Sequence, residues 1–85
     1  MESIVAVFNN RNQAMQFASY LKRLGVRSKT ISTPRELSVS CGISVVFSSK
    51  SLGQAKILID RYGFRPNIKL FITSGDLFVK YHQIF

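Results

Sequence analysis

Ile4-Val5-Ala6-Val7-Phe8 is a continuous apolar run, rich in residues that favour strands, and it ends at Asn9-Asn10. An apolar run of this length without polar alternation is typical of a strand that is covered on both faces. The run therefore predicts a buried central strand, and the remaining elements are expected to pack around it.

The segment after this strand has helical periodicity. Its apolar residues recur at spacings of three and four, at Ala14, Phe17, Ala18, Leu21 and Leu24. Lys22 and Arg23 fall in the last turn, where cations oppose the helix dipole, and Gly25 is a typical terminator. These features predict the first helix.

A second helix is predicted further along the chain. Ser51 and Gln54 have the spacing of a capping box, and Gly63 supplies the stop. The apolar stripe between them consists of Ala55, Leu58, Ile59 and Tyr62.

Three further segments have the composition of strands: Val26 to Ser32, Ile43 to Phe47 and Ile68 to Ile72. The element order is then βαββαβ. With right-handed crossovers this order predicts an α+β fold, a ferredoxin-like sandwich in which an antiparallel sheet carries two helices on one face.

The C-terminal part, residues 66–85, is predicted to hold the fourth strand and an extension. The stretch Leu77 to Phe85 fits either a short helix or an extra strand. We favour a hairpin, because Ser74-Gly75 lies between two β-rich runs. This extension is expected to cover the open sheet face or to form a homodimer contact, within a single domain that spans 1–85.

Composition limits the chemistry. The chain has 85 residues, and its only cysteine and histidine are Cys41 and His82. A lone cysteine excludes an intrachain disulfide and a CxxC redox pair, and these two residues are too few for a zinc site, so neither a metal nor a cofactor is expected. No carboxylate pair, phosphate loop or Ser/His/Asp set indicates an enzyme. With no membrane span or signal peptide evident, a cytoplasmic protein is expected.

The most unusual segment is Thr33-Pro34-Arg35-Glu36-Leu37-Ser38-Val39-Ser40-Cys41-Gly42. Thr33 and Glu36 have capping-box spacing, and Pro34 suits the first position of a helix. A helical turn is therefore expected to begin at Thr33. It cannot run far, because the following serines and Gly42 favour local bends before the third strand.

Cys41 thus falls at a junction between a turn and a strand. The N–H groups of such a turn, the positive end of a short helix and the side chain of Arg35 would all stabilise a thiolate. These features predict a lowered pKa for Cys41, provided that its sulfur is not buried.

With this motif, the chain from Ile4 to Phe64 resembles a family of small bacterial selenium/sulfur carrier-like proteins. The resemblance implies that Cys41 is the carrier thiol, which would receive sulfur or selenium as a persulfide or selenide from a donor protein and pass it to an acceptor. The flanking motif positions are Thr33, Pro34, Arg35, Ser38, Ser40 and Gly42.

Each motif residue also has a simpler interpretation. Free cysteine is often buried, so Cys41 could be a small hydrophobic residue packed under the third strand. Arg35 could be a solvated surface residue that pairs with Glu36 or Glu2. Ser38 and Ser40 fit turn formation better than catalysis, because no histidine base is placed by the sequence to activate them.

A second class of function is nucleic-acid binding. Twelve Lys and Arg against four acidic residues give a net charge of +8, which suits RNA, a transfer RNA or an acidic protein partner. The candidate contacts are Lys22, Arg23, Arg27 and Lys29. However, Ser44-Val45-Val46-Phe47 lacks the aromatic pattern of an RNA-recognition motif. A protein-interaction module with a structural cysteine is the third class.

Overall fold

A computed structural model of the protein describes residues 2–33, 37, 42–64, 68–75 and 79–84. Within these ranges the chain forms five strands and two helices. The strands are β1 (Glu2–Phe8), β2 (Ser28–Ser32), β3 (Ile43–Ser48), β4 (Ile68–Gly75) and β5 (Val79–Gln83). The helices are α1 (Arg11–Arg23) and α2 (Leu52–Tyr62), and a 3-10 turn, Ser49–Ser51, precedes α2.

β1 is the middle strand of the sheet, as the apolar run predicts. The strand order is β2-β3-β1-β4-β5, and all four neighbouring pairs are antiparallel. Val5 and Val7 are buried on one side of β1, and Ile4 and Ala6 are buried on the other. The predicted α+β fold with an antiparallel sheet and two helices is confirmed.

Both helices pack on the same face of the sheet, which we call the first face. Ile4, Ala6 and Phe8 of β1 share a buried cluster with side chains of α1 and α2. The second face carries Val5 and Val7, with Val46 of β3 and Phe71 of β4 beside them. The two faces of β1 are therefore covered by different parts of the chain.

Aromatic rings fill the centre of the first face. Phe17 of α1 is fully buried. Its ring centroid lies 5.3 Å from that of Phe8, 5.5 Å from that of Phe64 and 6.0 Å from that of Phe47. The rings are tilted or edge-to-face, which are favourable geometries for aromatic pairs. Phe17 thus joins α1 to β1, to β3 and to the segment after α2.

β2 begins two residues later than predicted. Gly25 has a φ of 76° and follows the end of α1. The N–H of Val26 donates to the carbonyl of Leu21 at 2.9 Å, and that of Gly25 donates to Lys22 at 3.0 Å. This pair of bonds is the Schellman motif. It uses the N–H of Val26 to close the helix, so Val26 does not belong to the strand.

The start of α2 also differs from the prediction. Ser51 makes no capping hydrogen bond with its side chain. Instead, the 3-10 turn extends the helical path backwards, and the Ser48 hydroxyl accepts from the N–H of Lys50 at 3.2 Å. The predicted capping box at Ser51 and Gln54 is therefore wrong, whereas the stop at Gly63, which has a φ of 67°, is confirmed.

The C-terminal extension forms the hairpin that we favoured over a helix. β5 pairs with β4, from Phe71 opposite Gln83 to Gly75 opposite Val79. Ser74-Gly75, however, belongs to β4 and is not the turn. The first strand of the hairpin is longer than predicted because pairing continues to its last residue.

Candidate functional site

The hairpin of β2 and β3 ends in a closed neck. The N–H of Thr33 donates to the carbonyl of Gly42 at 2.8 Å, one residue beyond each strand. The hydroxyl groups of Thr33 and Ser44 lie 2.8 Å apart and are hydrogen-bonded. Ser44 is fully buried, so this bond satisfies a hydroxyl that would be costly to leave unpaired. The two ends of segment 34–41 are therefore held together.

Leu37, in the middle of that segment, lies on the second face of the sheet. It has 3-10 conformation and is only 8% exposed. It forms a buried cluster with Val5 and Val7, and Val46 and Phe71 pack against its edge. We call this cluster the Leu37 anchor. It ties the segment between β2 and β3 to the centre of the sheet.

Removing the anchor side chain is expected to cost stability. A Leu37→Ala variant should lower the free energy of unfolding by about 2 kcal/mol, near the low end for buried leucines because the cluster is small. Leu24→Ala is the matched control, since Leu24 is 49% exposed, and it should cost less than about 0.5 kcal/mol. Urea denaturation measures both. Equal losses would show that Leu37 contributes no special packing.

Gly42 has a conformation that other residues avoid. Its φ is 72°, and nothing lies within 4 Å of where a Cβ would stand. The constraint is therefore backbone conformation and not space. Because Gly42 forms the neck with Thr33, its left-handed conformation sets the direction in which the chain enters β3.

A Gly42→Ala variant should lose about 1 to 2 kcal/mol of unfolding free energy, the cost of a left-handed alanine. Gly42→Asn should lose less, because asparagine tolerates this region. Gly53 of α2 also has open space around it but no positive φ. Gly53→Ala should therefore stabilise the helix by about 0.5 to 1 kcal/mol. Thermal denaturation of the three variants tests this; a gain at Gly42 would contradict the account.

Of the motif residues predicted from the sequence, the structure places Thr33 and Gly42 together in the neck. The others lie outside the described residues: Pro34, Arg35, Glu36, Ser38, Ser40 and Cys41. Sequence reasoning missed Ser44 and the Leu37 anchor. Leu37 is a large apolar residue in a mostly polar segment. This contrast was the one sequence signal that the segment packs against the sheet at Leu37.

The four candidate cations do not share one surface. Lys22 and Arg27 line the same groove, between α1 and the start of β2. The guanidinium carbon of Arg23 lies 6.0 Å from the ring centroid of Tyr20, which stacks on Tyr62 of α2. Lys29 pairs with Val46 and therefore belongs to the second face. All four side chains are exposed.

Two other features bear on possible ligands and location. Within the described ranges, no three His, Cys, Asp or Glu side chains are grouped so that they could hold a metal ion. Neither of the helices described above has the length and apolar character needed to cross a bilayer.

Comparison with known proteins identifies the family to which the chain belongs. No similar protein was found among curated sequences or among solved structures. One family model does match, over residues 3–68, a range that includes the neck, the Leu37 anchor and both helices. Its description is "Putative Se/S carrier protein-like", and because the match covers more than half of the 85 residues, the chain belongs to this selenium/sulfur carrier-like family.

Proposed function

We propose that the protein carries sulfur or selenium on Cys41 between a donor and an acceptor protein. The observation that carries this proposal is the family match, which spans the hairpin whose loop ends with Cys41 and Gly42. Cys41 is also the only thiol in the chain. Carriage of one atom needs one thiol, whereas reduction of a disulfide normally needs two.

The transfer can be written for sulfur in two balanced steps. The Cys41 thiolate attacks the terminal sulfur of a donor persulfide; a new S–S bond forms, the donor S–S bond breaks, and its electron pair leaves on the donor thiolate. A nucleophilic thiolate of the acceptor then attacks the terminal sulfur on Cys41. Cys41 leaves as a thiolate, so the protein is neither oxidised nor reduced overall.

Described residues at the two ends and in the middle of segment 34–41 support this proposal, because they attach the segment to the sheet. The neck bond between Thr33 and Gly42 and the hydroxyl pair of Thr33 and Ser44 fix both ends. The Leu37 anchor fixes the middle. Thr33, Leu37 and Gly42 thus hold the segment that contains Cys41 to the sheet at three described positions.

A ferredoxin-like fold and a cytoplasmic location are part of the same proposal. The order β2-β3-β1-β4 with both helices on the first face supports a ferredoxin-like sandwich, to which β5 is added at one edge. We infer a carrier and not an enzyme, working in the cytoplasm, where thiols stay reduced. A homodimer contact through β5 remains part of the proposal.

The described side chains of the second face give little support to the alternative function, nucleic-acid binding. RNA-recognition sheets present several stacking aromatic rings. Among the described side chains of the second face, Phe71 is the aromatic one, and it packs partly buried against the Leu37 anchor. Valines and Leu37 occupy the positions beside it, so the described part of this face does not resemble a base-stacking platform.

Loading and delivery can be tested directly. The reduced protein is mixed with glutathione persulfide, desalted and measured by mass spectrometry, first intact and then after digestion. We expect the intact protein to gain one sulfur atom, and the digest to place it on the peptide that contains Cys41. Adding a small thiol acceptor should return the original mass and produce the acceptor persulfide. Glutathione perselenide, whose terminal atom is selenium, tests selenium in the same way, because Cys41 then gains one selenium atom as the glutathione thiolate leaves. No loading by either donor would contradict the proposal.

A further inference from the structure

The open edge of the sheet at β2 lies beside a groove. β2 is the terminal strand of the order β2-β3-β1-β4-β5, so one side of it has no neighbouring strand in the described part of the chain. The groove runs between this edge and α1, and we call it the α1–β2 groove. It is defined by Met15, Ala18, Lys22, Val26, Arg27 and Thr30.

The register shows which backbone groups face the open edge. Thr33 and Gly42 form a hydrogen-bonded pair. Pairs alternate along an antiparallel ladder, so Ile31 and Lys29 also bond to β3. The N–H and C=O groups of Ser28, Thr30 and Ser32 therefore point away from β3. They form a row of donors and acceptors at the spacing that an added strand requires.

Charge and apolar surface surround this row. Lys22 and Arg27 stand on the groove side, and Lys29 stands on the second face of the same strand. Met15, Ala18 and Val26 are the apolar side chains that line the groove, and Met15 is 52% exposed. A strand added to β2 would alternate its side chains between the two sides and meet cations on both.

We propose that the β2 edge and the α1–β2 groove dock an extended, acidic segment of a partner protein by strand addition. Main-chain pairing supplies affinity in this mode, and side-chain pockets supply specificity. The observations favour a peptide over RNA, because backbone amides of the edge pair with another backbone and because no aromatic ring for base stacking occurs among the described residues that line the groove.

The docked segment would lead toward the loop that ends in Cys41. β2 passes directly from Ser32 to Thr33 at the neck, and a strand advances about 3.3 Å per residue. A partner strand paired from Ser28 to Ser32 therefore ends beside the neck. The relevance of this placement to sulfur transfer rests on the proposed function, whereas the docking itself does not.

The probe for docking is an acetylated, amidated hexapeptide of alternating glutamate and valine, titrated into 15N-labelled Cys41→Ser protein at low and moderate salt. This variant has no thiol, so the titration measures docking without transfer. If the peptide does not bind the variant, the docking proposal alone is overturned; if the wild-type protein does not take up sulfur or selenium, the carrier proposal alone is overturned. We expect shifts of the Ser28, Thr30 and Ser32 amides and slower hydrogen exchange there. Shifts confined to β5 or to α2 would overturn the proposal.

Three controls test its separate parts. Methylating the peptide N–H groups that pair with the edge should abolish binding at unchanged charge. Thr30→Pro should block docking while Thr30→Val does not, because proline is tolerated on an edge strand but removes the outward donor. Lys22→Glu with Arg27→Glu should weaken binding about tenfold, whereas Lys56→Glu, an exposed residue of α2, should have less than about a twofold effect.

Three further results would overturn the proposal. Equal binding of the methylated peptide would show that charge alone holds the ligand. Tight binding to the Thr30→Pro variant would exclude the edge. If oligouridylate bound this groove and the peptide did not, the surface would be a nucleic-acid site.

Discussion

A Cys41→Ser variant is expected to accept no sulfur atom from glutathione persulfide and to deliver none. The chain has no second thiol, and a serine hydroxyl does not attack a sulfane sulfur at neutral pH because it is not ionised. The loss should be complete, with the mass of the protein unchanged after incubation. The unfolding free energy of the variant should be measured alongside, to show that the fold persists.

The matched control moves the thiol to another site. Cys41→Ser combined with Gln16→Cys places one cysteine on an exposed position of α1. Because the loop is expected to lower the pKa of the Cys41 thiol, more of it is thiolate at pH 7, and lower nucleophilicity offsets only part of this gain. The relocated cysteine should therefore load severalfold more slowly. Equal rates would mean that the loop gives Cys41 no advantage.

Phe17→Ala should be the most destabilising single change in the described core. The side chain is fully buried and its ring contacts Phe8, Phe47 and Phe64. Such truncations cost about 3 to 5 kcal/mol, which is a large part of the roughly 4 to 13 kcal/mol expected for a domain of this size. The melting temperature should fall by roughly 15 °C or more.

Phe71→Ala is the matched control for this prediction. Phe71 lies on the second face, is partly buried and packs at the edge of the Leu37 anchor. Its removal should cost about 1 to 2 kcal/mol. Chemical denaturation compares the two variants. A loss at Phe71 as large as that at Phe17 would show that the second face contributes as much to the core as the aromatic cluster does.

The apolar pattern predicted the elements of this fold because it reflects which faces each element buries. The helical spacing from Ala14 to Leu21 indicated a helix with one buried face, and the unbroken run Ile4 to Phe8 indicated a central strand buried on both faces. The first and last residues of the helices and strands were harder to predict where hydrogen bonds at a helix end, and not residue composition, determine them. Val26 looks like a strand residue, but its N–H closes α1. Ser51 looks like a cap, but Ser48 begins the helical path three residues earlier.

The candidate site was less predictable, because its supports are tertiary. The neck pair of Thr33 and Gly42 depends on the register of β2 and β3, and the Leu37 anchor depends on which residues of β1 face it. Neither follows from local sequence. The separation of Lys29 from Arg27 was not predictable either. The predicted strand, Val26 to Ser32, contains both residues and would put them on one face, whereas Arg27 precedes the observed β2.

The most direct measurement for the central claim is the rate of Cys41 alkylation as a function of pH, in the folded protein and after unfolding. The account predicts fast labelling of the folded protein with an apparent pKa clearly below the roughly 8.5 of a free cysteine, returning to that value in denaturant. Slow labelling that does not depend on pH until the protein unfolds would contradict it, since Cys41 would then be a buried structural residue.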